Sequence, residues 1–548
     1  MKISYNWLKN YINTDLSIDE ISTILTDIGL EVEGINEVES VKGGLKGLVV
    51  AEVMSCEQHH NADKLKVTKI NTGAAELLDI VCGAPNVAAG QKVIVATVGT
   101  VLYDGDKEFK IKKSKIRGEV SEGMICAEDE IGLGASHDGI MVLDETAKVG
   151  TPAAEFFNLT SDTVFEIGLT PNRVDAASHY GIARDLAAYL NVNGTAKLEM
   201  PDISAFKTQN NNLTVEVDVQ NAERCARYAG LSISNVTVGT SPDWLQNNLK
   251  AIGLKPINNV VDVTNFVLHE LGQPLHAFDT AEIGDNKILV KTATEGEFFT
   301  TLEGVERKLS AEDLIISSSK APMCLAGVFG GEKSGVSEST QNVFLESAYF
   351  NPVSVRKTAK RHGLNTDASF RFERGVDPNM TVVALKRAAL LIQELAGGDI
   401  SSEVSDYYPN PIDDFKVELT FSKINGLIGN VLPKFAVRDI LKSLDIKILR
   451  EEAGHLSLQV PAYRVDVQRD VDVIEEILRI YGYNNVVLPS FMKSNLAPNP
   501  KVIPHKIENT VADFLSSVGF SEIFNNSLTN PAYYAEENDL VAMVNPLS

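Results

Sequence analysis

The sequence has few of the features that mark a secreted, membrane-borne or metal-built protein. Its five cysteines, Cys56, Cys82, Cys126, Cys225 and Cys324, are odd in number, far apart and never paired as CxxC, which excludes a disulfide framework or a zinc cluster as the basis of the fold. The opening "MKISYNWLKNYINTDL" has no unbroken apolar stretch of signal-peptide length, and no later segment approaches the ~18 apolar residues of a membrane span. A cytoplasmic protein that meets no membrane is expected. Positive charge is also scarce: 50 Lys and Arg stand against 74 Asp and Glu, a formal net charge of −24. The average field of such a chain repels a polyanion, so non-specific nucleic-acid binding is not its main role.

What is present is an ordinary globular composition, 44% hydrophobic and 23% charged over 548 residues, with length for roughly three to five domains. One basic patch breaks the acidic average. In "KEFKIKKSKIRG", residues 107 to 118, Lys107, Lys110, Lys112, Lys113, Lys115 and Arg117 face one acid, Glu108, and the spacing of Phe109, Ile111 and Ile116 predicts a strand. This is either a solvated edge strand whose lysines block aggregation or a surface for a polyanion.

The texture predicts an α+β multidomain chain. "SIDE", residues 17 to 20, is a capping box opening a helix with Ile21, Ile24, Leu25 and Ile28 at helical spacing and Gly29 as its stop. Short strands punctuated by Gly, Asn and Pro then predict a small barrel of the oligonucleotide-binding (OB) type over 40–151. Helical spacing returns at "HYGIARDLAAYL", so the barrel is expected as an insert in a helical N-terminal domain, 1–39 and 152–200. "PDISAFKTQNNN" is a linker. A mixed segment with Gly-rich loops spans 213–400, a smaller helix–strand unit 401–486, and a last stretch 487–548 holds one amphipathic helix.

Several stretches have the residue types of chemistry. "GVFGGEKS" falls short of a phosphate-binding loop because Glu332 stands where the second Gly belongs, and a carboxylate there repels phosphate. "SFRFERGVD" holds a Phe-Arg-x-Glu, short enough to be only alternating basic and aromatic side chains on a strand. Asp466, Asp472, Glu475 and Glu476 surround the start of a helix in "YRVDVQRDVDVIEEILRIYGY". Acids in a first turn are favoured by the helix dipole, while four clustered hard oxygens also suit Mg²⁺. His276, in the Gly-Gln-Pro turn of "LGQPLHAFDT", is either a packed histidine or a catalyst.

Taken in order, "HHNADKLKV", "VCGAPN", "KIKKSKIRG", "EGMICAEDEIGLG", "TPNRVDAASHYGIARDLAA", "KPINNVVDVTNFVLHELGQPLHAFD", "AGVFGGEKSGV", "LESAYF", "TDASFRFERGVDP" and "DVIEEILRIYGY" resemble the β subunit of bacterial phenylalanyl-tRNA synthetase across residues 1 to 548. His60 replaces the family's usual Pro. Family members continue beyond "VNPLS" through the rest of a catalytic-like domain and an anticodon-binding domain, so the chain is expected to be a C-terminally truncated member. The resemblance implies an editing module at 213–400, a winged-helix-like unit at 401–486 and the start of a class II synthetase-like domain at 487–548.

It also implies that ATP-dependent aminoacylation belongs to a separate α subunit of an α2β2 heterotetramer that binds tRNA(Phe), and that Phe370 to Glu373 is a lookalike. This subunit would edit, because an apolar phenylalanine pocket rejects an added hydroxyl by only about 10²-fold and mischarged Tyr-tRNA(Phe) must be hydrolysed elsewhere. Matching the motifs puts the acceptor for the tyrosine phenol at Glu346, with Glu332 as competitor, the editing histidine at His276, and pocket positions at Thr264, Gly330, Thr366 and Ala368. It assigns Mg²⁺ shared with the α subunit to Asp466, Asp472, Glu475 and Glu476, and a tRNA-facing surface to Lys110, Lys112, Lys113, Lys115 and Arg117. The alternative is a non-catalytic RNA-binding scaffold subunit.

Overall fold

The computed structural model describes residues 1–39, 41–104, 107–134, 136–157, 161–194, 196–491, 494–495, 503–533 and 540–544. The chain divides into two compact units, Met1–Val486 and Val487–Ser548. In the second, the amphipathic helix foreseen from spacing is Pro504–Ser517, with proline in its first turn, where a missing N–H costs nothing.

The first unit begins with the capping-box helix, Ile18–Asp27, in which Ser17 and Glu20 satisfy each other's backbone N–H groups. Gly29 follows at φ 86°, a conformation that spares glycine alone. The N-terminal region is not purely helical as expected. Strands Lys2–Ser4 and Glu31–Glu39 flank Ser161–Gly168 in an antiparallel three-stranded sheet, against which helix His179–Asn193 adds a second apolar layer. The strand Glu31–Glu39 was hard to see because four glutamates in nine residues mask a modest apolar alternation.

Between these segments lies a nearly closed antiparallel barrel. Its strands run Gly123–Ile125, Lys92–Thr97, Leu48–Gln58, Lys66–Asn71, Leu78–Cys82, with Val142–Leu143 also pairing Lys92–Thr97. The two ends approach each other where Glu122 N–H donates to Asp79 O at 2.8 Å. The basic stretch is not the single strand foreseen. It breaks into Lys107–Lys110, paired with Val101–Asp104, and Ser114–Ile116, paired with Glu119–Ser121, because Ile111 turns into the core and Arg117 and Gly118 take positive φ.

Residues 213 to 407 build two five-stranded sheets. One runs Glu216–Val219, Lys287–Thr292, Leu314–Ser317, Pro322–Leu325, Phe329–Gly330. The other runs Leu275–Asp279, Val343–Phe350, Cys225–Ser234, Asp399–Ile400, with Ser405–Tyr407 also on Cys225–Ser234. Strand alternation splits the second sheet between two cores. Leu231, Ala277 and Leu345 pack with helices Asn259–Leu271 and Met380–Ala396, whereas Tyr228, Phe278, Phe344 and Ala348 join Ile288, Ile315 and Leu325 of the first sheet. A three-stranded sheet, Phe415–Thr420, His455–Val460, Lys447–Glu452, with helices Lys434–Ser443 and Asp470–Tyr481, completes the unit.

Candidate functional site

His276 lies in strand Leu275–Asp279 directly opposite Glu346 of strand Val343–Phe350. Opposed residues on antiparallel strands project from the same face, so both belong to the face that looks toward the other sheet. Glu346 is 4% exposed. Its only described hydrogen bond is to Oε2, donated by the phenol of Tyr228 at 3.0 Å. Burial pushes the Glu346 carboxyl up to about 8 although the Tyr228 bond opposes this. It is therefore mostly protonated at neutral pH.

The His276 ring meets Phe278 edge to face at 4.4 Å, and its Nε2 is buried with no hydrogen-bond partner among the described residues. Burial pushes the imidazole down to about 4, so it is neutral at physiological pH and retains a free acceptor or donor nitrogen. Native proteins leave few buried polar atoms unpaired.

Gly330 keeps the approach to that ring open. A Cβ on it would fall 3.0 Å from His276 Cε1 and 2.9 Å from Leu302 Cδ1, so any other residue would press on the imidazole. Thr366 caps helix Asp367–Phe372, accepting from Ser369 N–H, and donates to Val328 O at 3.0 Å, two residues before Gly330. Ala368, in the first turn of that helix, packs against the core that holds Tyr228, Phe278 and Phe344. Thr264 is in helix Asn259–Leu271 and its hydroxyl donates to Val261 O of its own helix at 2.7 Å. It makes no hydrogen bond to the other site residues. Glu332 is exposed, with its backbone N–H on Thr300 O, whereas Glu346 is buried opposite His276. Phe370 to Phe372 is helical rather than a strand, with Glu373 as the C-cap, and Arg371 is buried, donating to Ala177 O.

Residues 224–397 match the family model of the B3/4 domain, 48–152 that described as "Putative tRNA binding domain", and 417–483 that of the tRNA synthetase B5 domain. Phenylalanine–tRNA ligase beta subunits from Bacteroides fragilis and Porphyromonas gingivalis are 58% and 54% identical over 100% of this chain and 68% of their own lengths. The chain belongs to the phenylalanine–tRNA ligase beta subunit family. The counterpart from Geobacter sulfurreducens is 43% identical over 97% of this chain and 65% of its own. A solved N-terminal fragment of the phenylalanyl-tRNA synthetase beta subunit from Pyrococcus horikoshii aligns at TM-score 0.32 and 16% identity, over 59% of this chain and 88% of that one.

The acid cluster departs from expectation. Asp466, Asp472, Glu475 and Glu476 do line one cavity of about 480 Å³, but two of them are already committed. Asp472 closes a capping box with Arg469 and accepts its guanidinium at 2.7 Å. Glu476 is buried and holds Arg464 at 2.9 Å and Arg479 at 2.6 Å. Burial disfavours its charge, yet those arginines keep its carboxyl below the usual range. Only Asp466 and Glu475 are exposed without a described hydrogen bond or ion pair. Among the described residues no three His, Cys, Asp or Glu side chains are placed to hold a metal ion. Within this chain the four acids are therefore not a set of free carboxylates for Mg²⁺, two of them being held by arginines.

What holds this region is a network invisible to local sequence reading. Arg173 pairs with Asp185 and Asp175, Arg479 reaches the same Asp185 at 3.1 Å, and Arg464 and Glu476 close the circuit. Its members lie up to about 300 residues apart, which no spacing rule finds. Tyr228 was missed for the same reason. On the barrel, Lys110, Lys112, Lys113, Lys115 and Arg117 are all exposed. Lys113 is tied to Glu122 at 2.5 Å and Arg117 donates weakly to Asn61 O at 3.5 Å, leaving Lys110, Lys112 and Lys115 as the members of this set with neither a described hydrogen bond nor a described ion pair from the side chain. Among the described residues no helix is long and apolar enough to cross a membrane.

Proposed function

We propose that this chain is the editing subunit of its synthetase: it hydrolyses the ester of mischarged Tyr-tRNA(Phe), while ATP-dependent charging takes place on an α subunit with which it forms an α2β2 assembly on tRNA(Phe). The observation that carries this reading is the cross-strand pair of His276, with its orphan Nε2, and buried Glu346. A core gains nothing from a carboxyl set beside an imidazole whose buried Nε2 has no described partner, since such an unpaired atom costs ~1 to 3 kcal/mol. A ligand with a phenol and a reacting ester satisfies both.

The division of labour follows from the electrostatics. Glu346 recognises the phenol by a buried hydrogen bond that a phenylalanyl ester cannot make, and a site built around such a bond rejects the analogue lacking it. His276, neutral and weakly basic, orients the attacking water through Nε2 and takes up its proton as the water oxygen bonds to the ester carbonyl carbon, then gives it to the departing ribose oxygen as the ester C–O bond breaks; the neighbouring ribose hydroxyl shares in relaying that proton. Gly330 leaves the space in which the ester carbonyl sits, and Thr366 and Ala368 complete the walls.

Lys110, Lys112 and Lys115 supply phosphate contacts for the tRNA from the barrel, local positive charge on an otherwise acidic chain. Asp466 and Glu475 are the two carboxylates free to meet a partner's residues. The test is single-turnover deacylation of preformed Tyr-tRNA(Phe) and Phe-tRNA(Phe) by this chain, alone and with the α subunit. Hydrolysis of the tyrosyl ester in preference to the phenylalanyl one is expected, and equal or absent hydrolysis in both settings rejects the reading.

A further inference from the structure

We propose that Tyr228 is the positioning residue of this site: its phenol occupies Glu346 Oε2 and leaves Oε1 as the single oxygen that reads the phenol of the substrate. The inference rests on the editing reading above and adds the residue that sets its specificity.

Three adjacent strands build the arrangement. In strand Cys225–Ser234, Gly230 stands opposite Glu346 and Tyr228 opposite Ala348, one diagonal step away. On the other side His276 faces Glu346. Gly230 is required here, because a Cβ would lie 2.2 Å from Phe344 Cζ; the Phe344 ring covers the glycine and closes that flank. Tyr228 is 0% exposed and reaches diagonally past the gap to Glu346 at 3.0 Å. The three polar groups thus form a row, Tyr228, Glu346, His276, across one face.

A carboxyl in apolar surroundings has two equivalent oxygens and rotates between them. The Tyr228 hydroxyl breaks that equivalence. Once Oε2 accepts from Tyr228, the proton of the neutral acid resides on Oε1, where it donates to the substrate phenol; when the acid ionises, Oε1 accepts from the phenol instead. In either state one oxygen, in one place, is left for the ligand. A phenylalanyl ester leaves that oxygen unpaired. Without the Tyr228 donor, Oε2 also lacks a partner, the carboxyl turns, and the difference between the two esters shrinks.

The decisive variant is Tyr228→Phe, which keeps the ring and its packing and deletes the donor, tested in the full chain alone and with the α subunit, beside Glu346→Ala, which removes both carboxyl oxygens, and the double variant. Single-turnover deacylation of Tyr-tRNA(Phe) and Phe-tRNA(Phe) is measured from pH 5.5 to 9. The expected result is a tyrosyl-to-phenylalanyl rate ratio lowered ~10-fold or more by Tyr228→Phe, with the acid-to-base midpoint moved upward because the bond that favoured ionisation is gone. On the Glu346→Ala background the Tyr228 change should add nothing. A Tyr228→Phe chain that loses thermal stability but keeps both ratio and midpoint overturns the proposal and makes the residue structural. An unchanged ratio in Glu346→Ala itself overturns the specificity reading on which it rests.

Discussion

His276 and Glu346 face each other across neighbouring antiparallel strands, and burial moves them in opposite directions, the imidazole down to about 4 and the carboxyl up to about 8. Both are therefore uncharged over most of the physiological range. The pair is a neutral hydrogen-bonding surface rather than an ion pair.

His276→Ala is expected to lower single-turnover hydrolysis of Tyr-tRNA(Phe) by at least ~10²-fold, the usual scale for loss of a positioned proton acceptor. Folding should survive, since the ring already lacks a polar partner in the fold. Circular dichroism and quench-flow deacylation decide it; equal rates in variant and wild type remove His276 from the reaction.

Glu346 also makes stability depend on pH. The folded chain holds the Glu346 proton more tightly than the unfolded chain, whose carboxyl titrates near 4.5. Its contribution is thus fully present below about 4.5 and is lost as pH rises through about 8. Glu346→Gln cannot ionise, so the melting temperature of wild type relative to this variant should fall steadily between those pH values and then level. The His276 titration, which opposes this trend at lower pH, is common to both chains and cancels. A flat difference from pH 5 to 8.5 would contradict the assignment.

Thermal melts should also resolve the acids beneath helix Asp470–Tyr481. Adding EDTA should leave the melting temperature of this chain unchanged, because Asp472 and Glu476 are satisfied by arginines. Glu476→Gln, by contrast, leaves buried Arg464 and Arg479 undercompensated and should cost ~3 to 5 kcal/mol, the scale for breaking a buried pair from one side. A large EDTA effect with a mild Glu476→Gln would restore a resident metal.

Lys112→Ala with Lys115→Ala tests the barrel. Affinity for tRNA should drop, and the slope of log affinity against log salt should lessen by about 1 to 2, since each phosphate contact contributes ~0.7 to 0.9. Filter binding at several salt concentrations suffices. An unchanged slope would leave these lysines as guards of an exposed edge.

How much of this was legible depends on range. The Ser17 capping box, the helix at His179–Asn193 and the acid of "VFLESAYF" are visible because their signals are local: a cap four residues long, a 3.6 period, a charge amid apolar neighbours. The basic stretch misled because alternation alone does not show that Ile111 turns inward and Arg117 takes φ 50°. Tyr228 was illegible since its partner lies 118 residues on. The motifs behind the family resemblance singled out His276 and Glu346, but not the strand register that sets them side by side.

The circuit through Asp185 has a consequence for how the chain could be dismantled. Residues 417–483 match a family model of their own, yet Arg479 and Arg464 neutralise a carboxylate that belongs to helix His179–Asn193, while burial works against that carboxylate's charge. Excising the later segment would leave Asp185 with Arg173 alone and leave Arg464 and Arg479 with only Glu476 between them. The segment is therefore no interchangeable cassette. A chimera that borrows it from a relative must carry a matching acid in the earlier helix, and proteolysis between them should release no folded piece, because the two stretches share a single charge balance and so a single melting event.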